Sequence, residues 1–173
     1  MKKRLISLLV ALCMAVTLLP VSAITAWAEE SGQLKIVDGY PVGSGKNHDE
    51  DCSGDGWSYD GSTQTLDLHP DSPTEYDFFS IISGYEPITK CKLTIGGDAI
   101  IVGGIFDNTV INNGKISGGQ FSSSSSLTNH GTITGGLFSS VSNEFDGKIE
   151  NGTFRSTVTN NGTIKGGIFD KKP

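Results

Sequence analysis

Clustered positive charge is what this chain most plainly lacks. Lys and Arg number 13 against 19 Asp and Glu, and Lys2, Lys3 and Arg4 sit together at the very start. Nucleic acids and anionic lipid surfaces are bound mainly through grouped Lys and Arg, so neither is an expected partner. Cysteine is scarce too, at three residues, and His48, His69 and His130 show no ligand spacing around them, which argues against a zinc site. Helical periodicity is also missing. Beyond residue 28 the text is dense in Gly, Ser, Thr and Asn, which are poor helix formers.

There is one long apolar run, Leu5 to Val21, placed behind the basic tip and ahead of Ala26-Trp27-Ala28. This reads as a secretory leader over 1–28, with Pro20 and the small-residue site favouring removal over retention as an anchor. Cys13 leaves with it, and the mature product is expected outside the cell with no membrane span of its own. After the cut, 10 of the 13 basic residues and all 19 acidic ones remain, moving the formal charge from -6 to -9. In an exported chain the remaining pair, Cys52 and Cys91, is expected as a disulfide.

What the chain has in abundance is one phrase. It is spelled IIVGGIF at Ile100 to Phe106, GKISGGQF at Gly114 to Phe121, GTITGGLF at Gly131 to Phe138, GKIENGTF at Gly147 to Phe154 and GTIKGGIF at Gly162 to Phe169. Ile101, Ile116, Ile133, Ile149 and Ile164 keep step with Phe106, Phe121, Phe138, Phe154 and Phe169, and a third apolar position recurs at Val110, Leu127, Val141 and Val158. A unit of about 16 residues is too short for two packed helices, so the period predicts a single-stranded parallel β-solenoid whose turns stack about 4.8 Å apart and bury ladders of like residues. Gly-Gly pairs and Asn151-Gly152 are expected to turn one corner through positive φ. Asn112, Asn129 and Asn160 are expected to stack their amides at another.

Residues 29–92 read differently. LKIVDGYPV suggests a strand and a turn, and WSYDGSTQTLDLH suggests two strands around Asp60-Gly61. A solenoid must cover its open end, so this segment is expected to cap the coil of 93–173, with the disulfide as a staple. No second cap follows the fifth phrase before Lys171-Lys172-Pro173, which leads to the expectation of end-to-end self-association or a longer natural chain.

The run GWSYDGSTQTLDL at Gly56 to Leu68, then KLTIGGDAII and turns punctuated by Gly-Gly, resembles secreted, repeat-built surface proteins of Gram-positive bacteria, some described as carrying carbohydrate-binding domains. The resemblance implies a parallel β-helix opened by the tryptophan-bearing strand pair, and attachment to glycans or to the cell envelope. It brings no catalytic residues.

Three chemistries can be set against particular residues. Asp49, Asp51, Ser53 and Asp60, with Gly54 at the sixth place, follow the spacing of a twelve-residue calcium loop, although the flanks are not helical. Trp57, Tyr59, Tyr76 and Tyr85 are the aromatic candidates for stacking on sugar rings, with sealing of the coil's end as the competing role. A β-helix lyase or glycoside hydrolase needs carboxylates gathered on one face, and Asp107 and Asp170 occupy equivalent places four turns apart. Threonine rows of the kind that bind ice are interrupted by charge along Lys115-Ile-Ser117, Thr132-Ile-Thr134, Lys148-Ile-Glu150 and Thr163-Ile-Lys165. The expected function is a secreted, non-enzymatic surface or adhesion module that binds carbohydrate, with a β-helix enzyme and a structural spacer as alternatives. No cofactor is expected unless the acidic loop holds calcium.

Overall fold

The computed structural model describes residues 32–83, 88–122 and 125–171, so the expected leader and Tyr85 lie outside it. In chain order, β1 (Ile36–Val37) and β2 (Tyr40–Pro41) form a hairpin, followed by β3 (Cys52–Gly54) and β4 (Trp57–Asp60). The next turn of chain holds β5 (Thr65–Leu68), β6 (Thr74–Asp77), the short helix α1 (Phe78–Ile81), β7 (Ile82–Ser83) and β8 (Ile88–Thr89). Five regular turns follow. They are β9 (Lys92–Ile95), β10 (Ala99–Gly103) and β11 (Ile105–Phe106); β12 (Val110–Asn112), β13 (Lys115–Ile116) and β14 (Gln120–Phe121); β15 (Leu127–Asn129), β16 (Thr132–Ile133) and β17 (Leu137–Phe138); β18 (Val141–Asn143), β19 (Lys148–Ile149) and β20 (Thr153–Phe154); and β21 (Val158–Asn160), β22 (Thr163–Ile164) and β23 (Ile168–Phe169).

Each strand of a turn pairs in parallel with its counterpart in the next, which makes a three-faced β-solenoid. The first face runs β5-β9-β12-β15-β18-β21, the second β6-β10-β13-β16-β19-β22 and the third β8-β11-β14-β17-β20-β23. Parallel pairing reaches back to β5, so the coil's first turn begins at Thr65, inside the segment assigned to the cap. The cap itself extends the first face through β4 and β3, both antiparallel, while β1 pairs with β2 and β7.

Register carries the core. On the third face Phe106, Phe121, Phe138, Phe154 and Phe169 stand in line, with ring centroids 4.8, 4.8, 5.1 and 4.7 Å apart and nearly parallel planes. Thr89 occupies this place in the first turn, and Phe78 of α1 enters from the side to meet Phe106 edge-on at 5.0 Å. Tyr76 heads the second-face ladder of Ile101, Ile116, Ile133, Ile149 and Ile164. On the first face the expected amide ladder has one more member than expected. Asn112 donates to Asn129 at 2.6 Å, Asn129 to Asn143 at 2.6 Å and Asn143 to Asn160 at 2.7 Å, with the first three fully buried. Each bond satisfies amide groups that would otherwise be stranded in a dry interior.

The two glycine corners work differently. At the corner before each phenylalanine only the second residue has positive φ, as at Gly136 (+115°). Asn151 therefore stands at the first position of its pair and has no left-handed role. At the other corner the need is for space. A Cβ on Gly131 would lie 2.1 Å from the carbonyl oxygen of Gly114 in the turn below.

Replacing Phe138 with Ala removes a fully buried ring flanked on both sides and is expected to lower stability by about 3–5 kcal/mol. Phe169→Ala, at a half-buried ring with one stacked neighbour, should lower it much less. Denaturant unfolding followed by circular dichroism checks both; equal losses would contradict the ladder.

Candidate functional site

The cap positions most of the residues expected to carry chemistry. Trp57 and Tyr59 alternate with Ser58 and Asp60 along β4, and cross-strand pairing with Leu68 and Leu66 turns them inward. Tyr59 donates to the carbonyl of His48 at 2.9 Å, and Tyr76 donates to that of Gly56 at 3.2 Å. Burial raises the pKa of both phenols, with nearby acidic groups adding to the effect. Trp57, Tyr59 and Tyr76 are thus core residues that tie the cap to the coil, and their faces are not offered to a sugar. Their burial supports the competing role, sealing of the coil's end, and agrees with the Trp-Ser-Tyr-Asp alternation of apolar and polar residues.

Two of the carboxylates expected to gather around calcium accept hydrogen bonds from local turns. Oδ1 of Asp60 accepts from Ser62 N (2.8 Å), Ser62 Oγ (2.6 Å) and Thr63 N (3.1 Å), which holds its pKa below the ordinary value. Oδ1 of Asp51 accepts from Gly61 N at 2.9 Å. Asp51, Ser53 and Asp60 line an open hollow of about 410 Å³. Asp49 joins them only through its backbone, which passes against Gly61. Among the described residues no three His, Cys, Asp or Glu side chains are grouped to hold a metal ion.

The expected disulfide is not formed: Cys52 and Cys91 are both free thiols. The order of the first face supplies the reason. Strands β4 and β5 lie between β3, which carries Cys52, and β9, which Cys91 precedes. Three strand spacings separate β3 from β9 by about 14 Å, beyond the roughly 7 Å that a disulfide can span between Cα atoms. Burial pushes the Cys91 thiol up to about 12, and burial followed by the charge of Asp51 raises Cys52.

An arrangement that the sequence reading overlooked lies at the corner between β18 and β19. In the neighbouring turns the ladder asparagine is followed two residues later by glycine, at Asn112–Gly114, Asn129–Gly131 and Asn160–Gly162. Here the interval is Asn143–Gly147, and the two extra residues leave the coil as a tight turn closed by Gly147 N donating to the Glu144 carbonyl at 2.9 Å. Phe145 stands at its tip, 91% exposed. Phe79, the next most exposed phenyl ring among the described residues at 54%, leans on Gly103.

Polar groups flank the Phe145 turn. Asp146 Oδ1 meets Nδ1 of His130 from the preceding turn at 2.9 Å, and Ser142 Oγ donates to Glu144 Oε1 at 2.6 Å. The bond from His130 is the main reason that the Asp146 carboxyl sits below its usual range. A carboxylate held in this way accepts hydrogen bonds and is poorly suited to act as a general acid, which needs a raised pKa. The corner therefore offers one bare aromatic ring, two carboxylates and an imidazole on a rigid base. A second open hollow, about 530 Å³, lies beside the β1–β2 hairpin and is lined in part by Val37, Val42, His48 and Glu50. Its imidazole is already engaged, stacked on Tyr40 at 3.9 Å and bonded to Ser44 Oγ at 3.1 Å.

Two measurements check this description. Alkylation of the native protein near pH 8 should modify half-exposed Cys52 before Cys91, and a Cys52–Cys91 cross-linked peptide in a non-reduced digest would contradict it. Carbon-detected NMR titration should place the Asp146 midpoint below 3.8, moving up toward that value in His130→Ala. Since the folded pKa is depressed, the contact's contribution is present above the ordinary carboxylate range and is lost as pH falls through the Asp146 midpoint.

No family model, curated protein or solved structure matches this chain.

Proposed function

We propose that this chain is a non-enzymatic, extracellular surface module that binds carbohydrate at the Phe145 corner. The observation that carries the reading is the 91% exposure of Phe145, ahead of Ile168 at 65% and Phe79 at 54% among the described residues. An aromatic face stacks well against the C–H face of a pyranose. Glu144, Asp146 and His130, bonded to Ser142 or to each other, surround the ring with polar groups that sugar hydroxyls can meet. The leader over 1–28 and the resemblance to Gram-positive surface proteins support an extracellular, envelope-associated place.

The test is a glycan array probed with the mature chain, followed by calorimetry on the ligands retained. Phe145→Ala should weaken binding at least about tenfold, or about 1.4 kcal/mol. It should leave the melting temperature nearly unchanged, because the ring contributes little to the core. Retention of no glycan by a correctly folded chain would favour the spacer; release of reducing ends or unsaturated sugars from a polysaccharide would favour the enzyme.

A further inference from the structure

The outer side of the first face is rich in hydroxyls, whereas the third face presents Ile105, Gln120, Leu137, Thr153 and Ile168 in register. Between the inward residues of β9, β12, β15, β18 and β21, the outward position is filled in register by Thr94, Ile111, Thr128, Ser142 and Thr159. Two residues earlier in the chain, Thr109, Ser126, Ser140 and Thr157 form a second row, with Ser126 Oγ donating to Thr109 Oγ1 at 3.3 Å. From β12 to β21 neither row carries a charge, while Lys92 on β9 and Asp67 on β5 continue the rows at the start of the coil; the outward positions of the second face include Lys115, Lys148, Glu150 and Lys165. The hydroxyls are also in different states. On the second face Ser117 and Thr134 donate to the wall itself, to the carbonyls of Ile101 and Ile116. On the first face the hydroxyls of Thr94, Thr128, Ser140, Thr157 and Thr159 make no hydrogen bond within the described chain.

We infer that this face is the seat of an extended, neutral β-1,4-linked polysaccharide lying along the solenoid axis, with Phe145 gripping it at the edge. The inference rests on the carbohydrate reading of the Phe145 corner and names the ligand's class. The rows repeat every turn, about 4.8 Å, and lie about 7 Å apart across the strands. An extended β-1,4-linked chain advances about 5 Å per sugar and presents equivalent hydroxyls every second sugar, so its repeat falls near two turns of the coil, about 10 Å. The uncharged stretch of the rows from β12 to β21 suits a neutral polymer, and Ile111, 39% exposed, gives the sugar C–H groups an apolar contact. The rows are continuous with the corner through Ser142, whose hydroxyl orients the Glu144 carboxylate. A lattice of ice requires a more uniform array than this one. Ser140 and Ser142 lack the threonine methyl, Ile111 lacks a hydroxyl, and Ser142 is turned toward Glu144.

The experiment compares disaccharide and hexasaccharide β-1,4-glucans, with α-1,4-linked oligomers of the same lengths as controls, on the full mature chain. Affinity should rise about tenfold or more from the β-linked disaccharide to the hexasaccharide, with no such rise for the α-linked series. Thr128→Val combined with Thr159→Val should abolish the gain from length. Thr132→Val on the second face should leave it as in the unaltered chain, and circular dichroism confirms that each variant is folded. Equal affinity for short and long β-linked ligands, or a length gain that survives the double substitution, overturns this inference and leaves the Phe145 reading standing. Failure to bind any carbohydrate overturns both. Ice-crystal shaping lost in Thr128→Val, with glycan binding independent of length, would assign the rows to ice.

Discussion

The coil depends on a coincidence of spacing. Parallel strands repeat about every 4.8 Å, which is also a favourable separation for nearly parallel phenyl rings. One phenylalanine per turn can therefore stack on the next without tilting or sliding the strands, as the 4.7 to 5.1 Å centroid separations show. Once the rings are in line, the isoleucine and asparagine ladders fall into line as well, because all three belong to the same short turn. Extra residues have only one way to go, outward at a corner. That is why a two-residue insertion produces the exposed Phe145 without shifting Asn143 or Ile149 from their ladders.

The architecture was legible because its signal is repeated. Ile and Phe recur with every turn, and no single ambiguous residue can obscure the period. Asn143 escaped the expected amide ladder for a simple reason: the insertion moved its glycine from two residues away to four, so the familiar Asn-Gly phrase was broken there. The same break held the clue to Phe145, a phenylalanine out of step with the other five. The hydroxyl rows were hidden by a choice of frame. Thr132 and Thr134 lie on the second face and Thr157 and Thr159 on the first, and only the pairing of strands separates them.

The cap was harder to read because each of its features occurs once. The strand pair was found, but its connection is the four residues Gly61 to Gln64, with Gln64 left-handed, where a tighter turn was expected. Asp38-Gly39, both at positive φ, forms the two-residue hairpin instead. The cysteines illustrate the limit well. Counting them suggests a pair, yet whether two strands intervene depends on sheet order, which no local pattern encodes. The aspartates fit both a turn and a metal loop because turn-forming and calcium-binding chains favour the same residues, Asp, Ser and Gly, for related geometric reasons.

The amide ladder has a direction. At every step the nitrogen of the earlier asparagine faces the oxygen of the later one, from Asn112 through Asn129 and Asn143 to Asn160. The side-chain dipoles therefore add head to tail along the coil, and each bond polarises the next. Reversing one amide alone would set nitrogen against nitrogen on one side and oxygen against oxygen on the other, in an interior where water cannot intervene. The four amides consequently share a single orientation, and the centre of the coil carries a polarity set by all of them together.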